Sequence, residues 1–395
     1  MTVIDAFNRG FSSVHALPGE MVVPLDRGSR AVLVVAFLVA SSALAIAVGL
    51  GRATRPDVVA PDGWTALEQG HAERAAQIFR DALKAHPDNA MLHFGSGSAS
   101  FALGRSDAAL SSLGRAVDLD PTFADAYVLL GRVAYERGQT DLAITSLREA
   151  SALRPRDGQV TELLAQWQHE STTQSGYLEK PAEHFRILYE GGTQQAIGDR
   201  VARVLEREYV RIGRALSSYP SSPLTVTLYT NQAFHDVTRS PSWSAGNYDG
   251  QIRIAVGGAL TSGDELDRVA THELVHAVIA STAPRRVPAW LDEGLAAYLE
   301  GSDHTWTSQA LRSRDDVIPL DNLTRGFGGL DERAALVAYA ESATAAEILC
   351  TQLGPNVGGF LRAIGDGRAV DQALLDFQIQ PNAFHSEWRR RVGLQ

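Results

Sequence analysis

Two histidines four apart, with a glutamate directly after the first, occur in Thr271-His272-Glu273-Leu274-Val275-His276. On a helix, His272 and His276 share one face, one turn apart. Imidazoles so placed hold a zinc ion, and a glutamate in the position of Glu273 serves as general base toward a zinc-bound water. Zinc in a hydrolytic site takes three protein ligands and keeps the fourth position for water. The third ligand is expected from a second helix close downstream. Pro288-Ala289-Trp290-Leu291-Asp292-Glu293-Gly294-Leu295-Ala296-Ala297-Tyr298 provides one, with Pro288 at its start and Glu293 in the next turns. The connector, roughly 281–287, holds Pro284, Arg285 and Arg286 and reads as a loop.

The elements that must position these groups are legible nearby. Asp264 to Ala280 is predicted to be one helix, with Leu266, Ala270, Leu274 and Val278 as its buried face and Val269 and Ile279 flanking the histidines. Upstream, Phe185–Tyr189, Leu224–Tyr229 and Gln251–Val256 alternate as strands, the third after a turn at Asp249-Gly250. Between the first two, Ala196–Ser217 repeats its apolar residues at three and four, as an amphipathic helix does. Downstream come Thr305–Arg312, a polar loop near 315–329, a helix from Asp331, and a last stretch, 369–392, with a helix and Trp388.

The pairing of H-E-x-x-H with W-L-x-E-G-L-A resembles the gluzincin metallopeptidases, and in particular the bacterial peptidase MA-like group. The resemblance covers about 183–392 and is sharpest at 271–298. It implies an α+β zincin-like fold, one zinc per chain, His272, His276 and Glu293 as ligands, and Glu273 as base. Sixteen residues lie between His276 and Glu293, slightly fewer than in better-known gluzincins, so the inter-helix loop must be short. The resemblance also implies a Tyr or His downstream that stabilises the oxyanion. Tyr339 is the first candidate and His304 the second. Many gluzincins carry an Asp four residues after the third ligand; here that residue is Ala297, leaving Asp292 or a backbone carbonyl to orient a histidine. By the same resemblance, Ile252–Val256 is expected as an edge strand beside the cleft, able to pair with an extended substrate. The remaining histidines, His184 among them, are scattered and expected to be surface or satisfied side chains.

Residues 56–169 repeat with a period of thirty-four. Pro87, Pro121 and Pro155 keep that spacing, as do Gly70, Gly104 and Gly138, and Ala75, Ala109 and Ala143. Ala82, Ala116 and Ala150 follow it too, with Phe79, Leu113 and Leu147. Small alanines let paired helices approach, the glycine falls at the turn between them, and the proline ends the second helix. The stretch resembles tetratricopeptide (TPR) repeats, an all-α solenoid whose concave face docks a partner or substrate protein, or which serves as a spacer. A capping helix is expected over Asp157–His169, and 170–182, polar with Ser, Thr, Gly and Pro, reads as a linker to a domain spanning 183–395.

Before the repeats, a tail over 1–30 precedes Ala31–Gly51, twenty-one residues without a charge. As a helix this run would span about 30 Å of hydrocarbon. Arg9, Arg27 and Arg30 stand before it against Arg52 and Arg55 after it, which favours a cytoplasmic N-terminus and an extracytoplasmic catalytic domain. The competing reading is a cleaved signal peptide ending at Ala43-Leu44-Ala45. The 395-residue chain carries a net charge of −10 and 45% apolar residues, which argues for sizeable cores and against a general nucleic-acid binder. A single cysteine, Cys350, rules out an intrachain disulfide and a thiolate metal cluster. The sequence therefore leads to a membrane-anchored zinc metallopeptidase with a TPR docking surface. The alternative is a TPR scaffold or assembly factor whose zinc domain is weakly active or inactive.

Overall fold

The computed structural model describes residues 59–393, apart from 221–222, 241–243, 258–262, 285–286, 302–303, 313–317 and 325. The apolar run 31–51 lies outside the described residues. No helix among the described residues is long and apolar enough to cross a membrane.

Three helix pairs open the described chain: α1 (Pro61–Glu68) with α2 (Ala72–Ala85), α3 (Ala90–Ala102) with α4 (Ser106–Leu119), and α5 (Ala124–Glu136) with α6 (Thr140–Leu153). The periodic residues explain the packing. Ala75, Ala109 and Ala143 are fully buried, as are Phe79, Leu113 and Leu147, so small and large side chains recur at the same levels of successive pairs. Gly70, Gly104 and Gly138 all take the left-handed conformation at the turn within a pair, which a β-carbon disfavours. The last helix, α7 (Gly158–Gln174), is capped by Asp157, whose carboxylate accepts from the amides of Gln159 and Val160. Trp167 of α7 stacks on Tyr135 at 4.1 Å and closes the end of the array.

A five-stranded sheet follows, in the order β1 (Tyr177–Pro181), β2 (Phe185–Glu190), β3 (Leu224–Tyr229), β5 (Ile252–Ala255), β4 (Gly246–Tyr248). β1 and β4 are antiparallel to their neighbours, and β2, β3 and β5 run parallel. Two expectations are corrected here. Residues 170–182 are not a linker: Glu170–Gln174 complete α7, and Tyr177–Pro181 pair along β2 as an outer strand. Polar, half-exposed side chains suit an outer strand as well as a loop, so composition did not separate the two. Ile252–Val256 is not the edge strand either. β5 lies between β3 and β4, buried at all four positions, and β4 is the outermost strand on that side among the described residues.

The parallel strands need crossovers, and α8 (Gln195–Leu216) makes the first, laying Val201, Leu205, Tyr209, Ile212 and Leu216 on the sheet. α9 (Asn231–Thr238) follows β3. Beyond the sheet lie α10 (Asp264–Thr282), α11 (Ala289–Leu299), α12 (Thr305–Arg312) and α13 (Glu332–Leu353), then α14 (Val357–Gly365), α15 (Val370–Asp376) and α16 (Pro381–Arg391). One core joins the sheet to α8, α10, α11, α13 and the C-terminal helices. Trp388 of α16 donates its indole N–H to the Glu341 carbonyl of α13 at 3.1 Å, tying the chain end to the core.

Candidate metal centre

α10 runs through the middle of that core. Three acidic residues, Asp264, Glu265 and Asp267, sit in its first turn, where they suit the positive end of the helix. From Val269 to Ile279 every residue is buried, so the polar triplet His272, Glu273 and His276 is enclosed with the aliphatic ones. After the connector 283–288, α11 returns with Pro288 at its N-cap and brings Glu293 to face the histidines. Close packing of α11 on α13 sets that height. A β-carbon on Gly294 would lie 2.3 Å from the Ser342 carbonyl oxygen, so only glycine fits beside Glu293.

The three expected ligands converge. His272 Nε2 is 3.5 Å and His276 Nε2 3.4 Å from Glu293 Oε2. These are poor hydrogen-bond distances. They match the edges of a tetrahedron of donors around one ion: bonds of about 2.0–2.2 Å place donors about 3.3–3.6 Å apart. His272 Nε2, His276 Nε2 and both oxygens of Glu293 and of Glu273 are buried with no hydrogen-bond partner. Buried polar atoms are almost always satisfied, so six orphans together are what a site able to hold a cation presents. The donor set, two imidazoles and one carboxylate without a thiolate, fits a divalent metal ion.

Electrostatics agree. Burial pushes the Glu273 carboxyl up to about 7, with His276 and His272 pulling the other way. Burial lowers the His272 imidazole, but Glu293 and Glu300 more than offset it and bring it to about 9. His276 is likewise depressed by burial and raised well above the usual range by Asp292 and Glu293. Desolvation disfavours the Glu293 carboxylate, yet the two histidines hold it below its ordinary value.

The outer nitrogens are anchored. Glu300 Oε2 lies 2.6 Å from His272 Nδ1, and Glu300 Oε1 accepts from Arg268 Nη1 at 2.6 Å. Arg268 also bonds Glu265 at 2.5 Å. Asp292 Oδ1 lies 2.8 Å from His276 Nδ1. Each imidazole therefore donates Nδ1–H to a carboxylate and presents Nε2 inward, the arrangement that orients metal-bound histidines. Asp292 was among the substitutes expected for the missing residue at Ala297. Glu300 was not foreseen. It lies seven residues after Glu293, two turns along the same face, and that spacing was the available signal.

Tyr339, on α13, is 1% exposed, with its ring 6.4 Å from that of His272 and its hydroxyl beside Glu293. Burial and the neighbouring Glu293 and Glu273 raise its hydroxyl well above the usual tyrosine range. His304 instead stacks on Tyr298 at 5.0 Å and is not among the converging ligands. β4 passes Glu273 at Gly246: a β-carbon there would be 2.2 Å from Glu273 Oε1. The strand beside Glu273 is thus β4, not the segment 252–256. Among the described residues one other group, Glu183, His184 and Glu206, has metal-ligand spacing. It is on the surface, and Glu206 already accepts from the His184 amide at 2.8 Å and lies 2.7 Å from its Nδ1.

Residues 206–392 match the model of the Peptidase MA superfamily. Residues 63–122 and 100–166 match two tetratricopeptide-repeat models. No curated protein matches the chain. Among solved structures, the first TPR of Spaghetti (RPAP3), bound to an HSP90 peptide, is similar at 22% identity over 29% of this chain and 90% of its own, with a TM-score of 0.28.

Proposed function

We propose that the chain is a zinc-dependent peptidase, with His272, His276 and Glu293 as ligands and Glu273 as the general base. The observation that carries the reading is the convergence of both histidine Nε2 atoms on Glu293 Oε2 at 3.5 and 3.4 Å, with the unpartnered Glu273 carboxylate buried beside them. The match of 206–392 to the Peptidase MA superfamily supports it. The chemistry supplied by a bound zinc is that of a Lewis acid and of a water acidified to a pKa of about 7. Glu273 takes the proton of the attacking water and returns it to the leaving amine. A base so placed contributes about 10²–10⁴-fold. Glu300 and Asp292 hold the imidazoles in register, and Tyr339 is the donor best placed for the developing oxyanion.

The repeats are proposed to dock a partner or the substrate protein on their concave face. Residues 31–51 are proposed as a single-pass anchor with the peptidase domain outside the cytoplasm. Protease access to intact cells tests that orientation, since digestion of the domain from outside is required.

The deciding experiment uses the full chain. Metal analysis is expected to give about one zinc per chain, and a mixed peptide library is expected to be cleaved. Glu273→Gln should keep its zinc and lose turnover. A wild-type chain loaded with zinc that cleaves nothing would move the assignment to the scaffold reading.

A further inference from the structure

The repeats are proposed above only to dock a partner, yet their side chains hold a buried arginine of the sheet that flanks the candidate metal site. Arg253, on β5, is 1% exposed. Its Nε donates to Glu170 Oε1 at 2.8 Å, its Nη2 to the Tyr135 hydroxyl at 2.6 Å, and its Nη1 to Asp249. Glu170 belongs to α7 and Tyr135 to α5, so a guanidinium of the catalytic sheet is held by two residues of the helical array. The Tyr135 hydroxyl also donates to Glu170, and the Tyr229 hydroxyl of β3 donates to Glu170 Oε1 at 2.7 Å. A buried charge left without such partners is strongly destabilising.

The turn of the β4–β5 hairpin is gripped by the same helix. Gln251 Nε2 donates to the Tyr135 carbonyl at 2.6 Å. Gly250 approaches α5 so closely that a β-carbon would be 2.8 Å from Glu136 Cα. In the hairpin register, Arg253 stands opposite Asn247, and Ile254 opposite Gly246. The cross-strand partner of the clamped arginine is therefore the immediate chain neighbour of the glycine on which the Glu273 carboxylate rests.

We propose that the repeats are a positioning element of the site: by clamping Arg253 through Glu170 and Tyr135 they fix the β4–β5 hairpin, and the hairpin fixes Glu273. The catalytic half of this inference rests on the peptidase reading; the mechanical half does not. Arg253, Glu170 and Tyr135 are positioning residues, none of which touches the ligand cluster. An ordinary packing interface would hold the array in place without affecting the base.

The test compares full-length wild type with Tyr135→Phe, Glu170→Gln and a control, Phe79→Leu, in the first repeat. Tyr135→Phe deletes one hydroxyl and adds no buried charge, so it keeps a folded reporter should Glu170→Gln fail. Hydrogen exchange of peptides covering 244–256 is read beside zinc content, kcat and KM, well below the melting temperature. Exchange in the hairpin should rise several-fold in both interface variants. kcat should fall by about tenfold or more, as small misplacements of a catalytic group do, with KM and zinc unchanged. Phe79→Leu should lower Tm and leave the hairpin and kcat as they are. Unchanged hairpin exchange in Tyr135→Phe overturns the proposal. Faster exchange with kcat intact overturns the positioning role. Faster exchange in a protein whose wild type hydrolyses nothing upholds the clamp and discards the peptidase reading.

Discussion

Gly246 and Glu273 approach so closely that a β-carbon on residue 246 would lie 2.2 Å from Glu273 Oε1 and 2.8 Å from its Cδ. Gly246 sits in an extended strand, so glycine is needed there for space, not for its backbone freedom. Gly246→Ala must therefore move the carboxylate. Turnover is expected to fall by about 10²-fold, the usual loss for a catalytic group displaced by an ångström. Zinc content should not change, because the three atoms nearest the added carbon all belong to Glu273 and none to His272, His276 or Glu293. Steady-state kinetics with metal analysis checks both parts; loss of zinc would show that β4 supports the ligands instead.

Glu300→Gln should weaken metal binding about 10–100-fold, the usual effect of removing the partner of a ligating imidazole. The substitution takes the charged acceptor from His272 Nδ1 and from Arg268 at once. Asp292→Asn, which alters the carboxylate bonded to His276 Nδ1, should act in the same direction. Competition with a chromophoric chelator measures both. Wild-type affinity in Glu300→Gln would mean that the backbone alone aims His272.

Much of this was readable in the sequence because local spacing dictates it. A thirty-four-residue period can only be stacked helix pairs, and alanines at the close approaches are buried as that packing requires. His272, Glu273 and His276 lie on one helix, so their mutual placement follows from helical geometry, and the short connector left Glu293 little freedom. What was not readable depends on contacts distant in the chain. β5 is interior because β4 pairs outside it, a choice of strand order that alternation does not encode. Tyr177–Pro181 carries the polar side chains of an outer strand and so passed for a linker. Arg253 was read as part of a plain alternating strand, and its partners lie 83 and 118 residues earlier. Glu300 was within reach of periodicity but was screened by the expectation of an Asp at position 297.

Tyr339→Phe tests the oxyanion assignment. The Tyr339 hydroxyl lies on α13, close enough to Glu293 and Glu273 for both to raise its pKa. If it donates to the tetrahedral intermediate, turnover should drop about 10²–10³-fold with KM and zinc content held. If the hydroxyl chiefly orients Glu293, zinc affinity will fall instead, and a chelator titration run beside the kinetics separates the two. His304→Ala, by contrast, should leave turnover within a few-fold, since His304 stacks on Tyr298 outside the ligand cluster.

The Arg253–Glu170 pair makes a prediction in acid. Burial alone would raise the Glu170 carboxyl, but Arg253, Tyr135 and Tyr229 more than offset that and hold it below its ordinary value of 4.5. A carboxyl whose folded pKa is depressed stabilises fully above its unfolded pKa and loses that stabilisation as pH falls through the folded one. The contribution of Glu170 is therefore intact at neutral pH and declines below about 4.5. Glu170→Gln should lose about 3–5 kcal/mol at pH 7, because Arg253 is left buried with Asp249 as its remaining charged partner. Below pH about 4.5 its stability should fall less steeply than that of the wild type, since one proton-linked group is gone. Denaturant unfolding at a series of pH values, followed by circular dichroism, reads both effects. Parallel pH profiles for the two proteins would show that Glu170 keeps its ordinary pKa and that the clamp is weaker than its geometry implies.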